Sequence, residues 1–523
     1  MSFRLVALAL LAVGAGPIAG RAQSRDWRLS DRTVIGDFTR ITTISTALDR
    51  VYIASPSSVL LWHPQFQQWE GPYDPPDPAL LVRVFASLTD PLDNSLWLVR
   101  PEGWIHFQPE LQIWDSGTVP GGVVTLAFDA NDPVSGLYLR TRSGWFVVSR
   151  GALSAIPGRA PARPLVPISV DEVLRSSPTL QANAAQILLD PHLRTVRYTA
   201  AARSFDNQGW YLGTSGIGTL YLTDGAALPE RLTFGLPSPV VGAVLGAPDG
   251  VWSATQRTQL ADAALTLVDP DLKSFRTLHG LAATGIPYNQ VRDLVGQGTG
   301  LWAATDLGVA RIETRDGRID MIDAGRGLPD SRVYAVASRQ GRITVGTARG
   351  IARVDDSLHV ERLAPGFGDA AYAVFPAGDT VWVGTSRGLL IALPGQRDLL
   401  RPSTLALPSL QAPVLALGSL GDTLVGLTRD QLLWRDPGSE AWTLGPNLSG
   451  LLGGLRSFTP DGPGFWIAGD RGVAFVRLGT PPIRPLRGGD LPGAANDVAV
   501  DEHFLWVATD GGLVRFRLDA VRP

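Results

Sequence analysis

The chain has 523 residues, 45% of them hydrophobic and 18% charged, with a formal net charge of −3. That length holds more than one domain and a large core, while so small a net charge excludes the basic field of a nucleic-acid binder. No cysteine is present, which excludes disulfides, thiolate metal sites, thiol nucleophiles and a lipoprotein anchor.

Residues 1–22 read as a secretory signal. Arg4 forms a small charged region, Leu5 to Val13 is an apolar run too short to span a bilayer, and Gly20-Arg-Ala22 offers small residues for cleavage before Gln23. No later stretch is long and apolar enough for a membrane helix. A periplasmic or secreted location follows as the expectation.

From residue 50 onward one phrase recurs eleven times. Clear copies are Leu301-Trp-Ala-Ala-Thr-Asp-Leu-Gly-Val309, Val381-Trp-Val-Gly-Thr-Ser-Arg-Gly-Leu389 and Leu505-Trp-Val-Ala-Thr-Asp-Gly-Gly-Leu513. Each reads as strand, tight turn with Gly, strand. The marker position holds Tyr52, Trp97, Tyr138, Tyr211, Trp252, Trp302, Thr344, Trp382, Leu424, Trp466 and Trp506, spaced by 45, 41, 73, 41, 50, 42, 38, 42, 42 and 40 residues. This is the period of a four-stranded propeller blade. Alternating stretches such as Val291-Arg-Asp-Leu-Val295 precede the marker and read as further strands. The motif tryptophans sit among apolar residues and are expected in the core.

The fold class is therefore all-β, a propeller of about eleven four-stranded blades. Blades usually number four to eight around one channel, so two rings of five to seven blades are expected, with one large ring as the alternative. A boundary near 276 divides the chain into 23–275 and 276–523. The chain stops 17 residues past Trp506, short of a final outer strand. A strand near Asp26-Trp-Arg-Leu29 is expected to supply it and close a ring. The long gap holds a partly helical insertion at 151–200 or an eroded twelfth copy. Its bland reading is an excursion packed on the rim, its functional reading a lid or docking element.

Several connections between units read Gly-Leu-Pro or a variant: Gly235-Leu-Pro-Ser238, Gly285-Ile-Pro-Tyr288, Gly327-Leu-Pro-Asp330 and Asp490-Leu-Pro492. With the Trp phrase, these resemble the two-component-regulator propeller repeat over residues 24–523, apart from 151–200. The resemblance implies a periplasmic sensor-type propeller that binds or frames glycan fragments, or a related envelope or secretion component. No membrane span, β-sandwich or kinase follows the last blade here, so sensing would need a partner protein.

Catalytic constellations are scarce. The six histidines are scattered without metal-ligand spacing. Gly384-Thr-Ser386-Arg-Gly388 matches a hydrolase pentapeptide, but it lies in an ordinary repeat, whereas the nucleophile elbow needs a strand-to-helix turn. Lysine occurs once, at Lys273, the one position for a Schiff base. No catalytic residue, metal or cofactor is assigned.

One pattern stands out. Five residues past the marker, in the hairpin turn, lie Arg257, Arg349, Arg387, Arg429 and Arg471, the last four from successive units. In a propeller these turns share a face with the connections between blades. The planar guanidinium fork matches carboxylate, sulfate or phosphate, so an arc around the channel mouth is the candidate ligand-binding site. The alternative is a row of solvated turn residues. The expected function is non-enzymatic: an exported recognition or sensory module for a glycan or other anionic envelope ligand. The runner-up is a scaffold that docks a partner protein in envelope assembly or secretion. A propeller lyase or hydrolase is the third.

Overall fold

In the computed structural model the described residues are 27–522, apart from 177–179, 181–187, 190–194, 259–262, 280–288, 316, 403–410, 440 and 481–482. The signal segment 1–22, Gly285 to Tyr288 and most of 177–194 lie outside them, and with these any twelfth copy.

The described residues form eleven antiparallel sheets, nine of four strands, one of five and one of three. Each copy of the phrase falls in a different sheet, with its marker on the second strand. The phrase recurs because it solves one packing problem eleven times. Trp302, Trp466 and Trp506 are buried between sheets, and the indole N–H of Trp466 donates to Asp461 Oδ2 at 3.0 Å. The threonine three residues on closes the turn. Thr305, Thr347, Thr385 and Thr509 each donate their hydroxyl to the carbonyl of Gly308, Gly350, Gly388 or Gly512 at 2.7–2.8 Å. The glycine is required by both conformation and space. At Gly308 φ is +149°, and a Cβ there would lie 2.3 Å from the Ile322 carbonyl oxygen. Gly308→Ala is therefore expected to cost roughly 1–3 kcal/mol, measured by urea denaturation.

Each sheet carries an inner strand first. Seven of these are Val241–Ala247, Val291–Gln297, Val333–Arg339, Ala371–Ala377, Val414–Leu420, Leu455–Asp461 and Ala495–Val500. Each packs on the next, and Ala495–Val500 packs back on Val241–Ala247. The strand Thr43–Thr46 packs on Ala86–Thr89 and on Tyr198–Arg203, and Ala86–Thr89 packs on Val123–Asp129.

The insertion is mixed in structure. Ile156–Gly158 extends the outer edge of the sheet 123–165, and Pro164–Leu165 pairs with the free edge of its inner strand. A helix at Val170–Ser176 then packs on Tyr198–Arg203, burying Val173 with Leu212 and Leu220.

The N-terminal strand lies slightly beyond the expected position, at Arg32–Ile35. It pairs antiparallel with Gly512–Arg517 and forms the edge of the last sheet. Trp27, from the stretch the sequence pointed to, packs edge-on against Phe516 instead, with ring centroids 5.3 Å apart. No described helix is long and apolar enough to cross a membrane.

Candidate functional site

The seven inner strands that follow Val241 share one irregularity. Each carries a bulge between its first and third residues. A bulge leaves one residue out of the ladder and re-aims its side chain. In Val291–Gln297 the first and fourth residues are buried, while Arg292 and Asp293 stay partly exposed. The same second position holds Tyr334, Tyr372, Leu415, Arg456 and Asn496, and all six side chains line one cavity of about 640 Å³ between the strands.

Its polar groups are organised. The Arg292 guanidinium lies 5.4 Å from the Tyr334 ring centroid, a cation–π distance, and Tyr334 meets Tyr372 at 5.4 Å. Arg292 Nη2 donates to Gln290 Oε1 at 2.8 Å, while its Nη1 is buried without a partner. Arg456 pairs with Asp470 at 2.7 Å and donates to Asn496, which donates in turn to Asp510 at 2.9 Å.

Two carboxylates lie one position deeper. Asp293 and Asp497 stand where the other inner strands carry Ala243, Ala335, Ala373, Ala416 and Ser457. Asp293 accepts the N–H of Leu294 and, from the neighbouring strand, that of Val336, both at 2.9 Å. Asp497 likewise accepts Val498 N–H and Val244 N–H, both at 2.9 Å. Each thus ties two sheets together. Burial pushes the Asp293 carboxyl up to about 7, with a contribution from the charge of Asp497, and pushes Asp497 up to about 6.

The five arginines of the turns lie at the same end as this mouth. Four of their turns bond residues at or just ahead of the start of an inner strand: Arg257 N–H to Asn289 O, Ala348 N–H to Arg332 O, Leu455 N–H to Arg429 O and Arg471 N–H to Leu452 O. All five are exposed. They are not equally available. Arg387 is paired with Asp369 and stacks toward Phe367 at 5.8 Å. Arg349 lies 3.6 Å from Asp330 and keeps 73% of its side-chain exposure. Arg257 donates to Asn289 Oδ1 at 3.3 Å. Arg471 lies beside Gly453 and Arg429 beside Gly454, and Asp470, close to both glycines, is taken by Arg456. The face is a mosaic of arginines and aspartates rather than a uniform arc.

The structure buries Trp97, Trp252, Trp302, Trp382, Trp466 and Trp506, and also Trp104 and Trp434, while Trp62 and Trp145 keep some exposure. Ser386 sits in a turn between the strands Thr380–Thr385 and Gly388–Ala392. Among the described residues no group of three His, Asp or Glu side chains is placed to hold a metal ion. The mouth residues Arg292, Tyr334, Tyr372 and Asn496 were not singled out from sequence. Their signal lies in the register of the inner strands, where the second position is polar or aromatic in five of seven copies.

No family model and no curated protein matches the chain. Among solved structures, the extracellular domain of the hybrid two-component system BT3049 from B. thetaiotaomicron is 14% identical over 90% of the chain and 60% of its own length, with a TM-score of 0.44. The extracellular domain of the one-component system BT4673 of the same organism is 15% identical over 92% of the chain and 64% of its own length, with a TM-score of 0.44. PorZ, a surface component of the type-IX secretion system of Porphyromonas gingivalis, is 11% identical over 92% of the chain and 69% of its own length, with a TM-score of 0.45. The chain spans 60–64% of the length of the two extracellular domains. Its structure neighbours include extracellular domains of two-component and one-component systems and a secretion component.

Proposed function

We propose that the chain is an exported recognition module that binds an anionic envelope ligand, an acidic glycan foremost, and acts by binding rather than turnover. The ligand lies across the face that carries Arg257, Arg349, Arg387, Arg429 and Arg471, and seats one group in the mouth formed by Arg292, Tyr334 and Tyr372. The observation that carries this reading is the bulge repeated in seven inner strands. In six of them it aims a side chain into a shared cavity, and five of those six are cationic, aromatic or amide groups suited to a sugar ring and its acid.

The architecture that goes with this reading is two rings. The order of inner-strand packing supports seven blades between residues 241 and 517, with Arg32–Ile35 as the outer strand of the last. It supports four blades between 43 and 232, with the insertion beside the sheet that precedes it. The division then falls between 232 and 241, ahead of the position that spacing alone suggested.

Melting of the mature protein with polygalacturonate, alginate and neutral dextran tests the function. Mass action raises the melting temperature when a ligand binds the folded state. A rise of a few degrees with the acidic polymers is expected. It should vanish when Arg349, Arg387, Arg429 and Arg471 are changed to Ser, and should shrink in high salt. No rise from folded protein would sink the glycan reading. The docking reading would then gain, for which the exposed Leu153, Ile156, Leu165, Val166 and Ile168 of the insertion are the surface.

A further inference from the structure

A second cavity, of about 390 Å³, lies between the sheets 43–73 and 198–232. That volume falls within the range of small-molecule sites. Its floor is aromatic. Trp62, which keeps part of its surface, stands beside Trp69 at 4.8 Å, and Tyr211 meets Tyr221 at 4.7 Å. Its walls are hairpins: 46–51, 63–68 and 203–209. At the tip of the last stands Phe205, 63% exposed beside the opening.

The rim is polar in a particular way. Asp206 and Glu230 offer acceptors, while Gln65, Gln67 and Ser204 offer amide and hydroxyl groups. Asp206 is held below the usual carboxylate range, first by its bond with Ser204 and then by the Gln208 N–H. Asp49 is bonded to Arg50 at 2.9 Å, and Arg50 also reaches Glu110 at 2.8 Å, so that wall's cation is already held between two carboxylates.

The geometry points to a second ligand site: the groove between the sheets 43–73 and 198–232 binds a neutral saccharide, stacked on Trp62 and Phe205 and held through its hydroxyls by Asp206, Glu230 and Gln65. A pyranose has an apolar face for the aromatic floor and hydroxyls that donate and accept, which a rim of mixed carboxylates and amides satisfies. An acidic sugar is repelled by Asp206 and Glu230. A basic peptide would use the carboxylates too, and the nona-lysine arm of the test below separates it from a saccharide. The inference is independent of the anionic site, since it uses other sheets and opposite charge.

The test is titration of the full mature chain with laminarihexaose, cellohexaose, mannohexaose and chitohexaose, read by tryptophan fluorescence and calorimetry, with nona-lysine as a parallel arm. At least one hexasaccharide should bind and perturb the fluorescence. Phe205→Ala should weaken it about tenfold, and Asp206→Asn with Glu230→Gln should do so at least as strongly. Phe205 and Glu230 are exposed, so these variants should melt with the wild type. The variant with Ser at Arg349, Arg387, Arg429 and Arg471 should retain the saccharide, which separates failure of this site from failure of the other. Binding of no hexasaccharide, binding unchanged by Phe205→Ala, or preference for nona-lysine would each overturn the assignment.

Discussion

Removing residues 27–36 is expected to lower the melting temperature by more than about 10 °C and to turn a monodisperse protein into an associating one. The strand Arg32–Ile35 covers the edge of Gly512–Arg517 in the register Arg32 to Phe516 and Ile35 to Leu513. Ile35 is fully buried, and Trp27 is nearly so against Phe516. Truncating side chains like these costs about 2–5 kcal/mol each. One kcal/mol moves the melting point of a domain this large by roughly 2–4 °C. The loss leaves Gly512–Arg517 with unpaired backbone groups, which recruit strands from other molecules. Ile35→Ala is the control. It should lower the melting point without association, because the backbone ladder survives. Calorimetry with light scattering checks both. A truncated chain that stays monomeric and melts within 2 °C of the intact one would refute the role of this strand.

The repeat was legible because its residues answer local demands. A buried Trp, a Thr that closes the turn and a Gly at positive φ each recur in more than half of the copies of that hairpin, and each of the eleven markers falls in its own sheet. Thr344 and Leu424 fill the same place where no indole is present. The pairing of the chain's N-terminal part with its last sheet was inferred from a missing strand, but only to within a few residues. The grouping of sheets was not legible in the spacing of the markers. Packing such as Ala495–Val500 on Val241–Ala247 leaves no mark in spacing.

The mouth was missed for a different reason. Strict alternation puts Val291, Asp293 and Val295 on one side of the strand. The bulge breaks that period, so Val291 and Leu294 are the buried residues and Arg292 with Asp293 turn to the cavity. A one-residue insertion in the ladder does not change composition or repeat length. It becomes visible only when the inner strands are laid in register and two aspartates appear among alanines. The turn arginines were legible in position, but their aspartate partners Asp330 and Asp369 come from connections that sequence spacing does not pair with them.

Those two aspartates carry the second large effect. Raising the pH from 5 to 8 is expected to lower the melting temperature by roughly 5–10 °C. Changing Asp293 and Asp497 to Asn should remove most of that slope. Burial raises both carboxyls above the ordinary value of 3.8, to about 7 and about 6. The folded state therefore holds protons that the unfolded state has released, and between about 4 and 7 stability falls as pH rises. The contribution is fully present below 3.8 and lost above 7. The part lost between pH 5 and 8 amounts to roughly 2–4 kcal/mol for the two groups, the lower figure allowing for screening by solvent in the cavity. Asp74, raised to about 6 mainly by burial, adds a smaller slope of the same sign that the double variant keeps. The variant should start lower at pH 5, because an amide oxygen and an NH2 group cannot accept from both Leu294 and Val336. Slope, not level, is therefore the deciding observable in a series of calorimetric melts. An unchanged slope would mean that these carboxyls titrate normally in the folded protein. A flattened slope would carry a consequence for the mouth above them. An anion seated on Arg292 is repelled by ionised Asp293, so acidic polymers should bind more tightly at pH 5 than at pH 8, and that difference should vanish in the same variant.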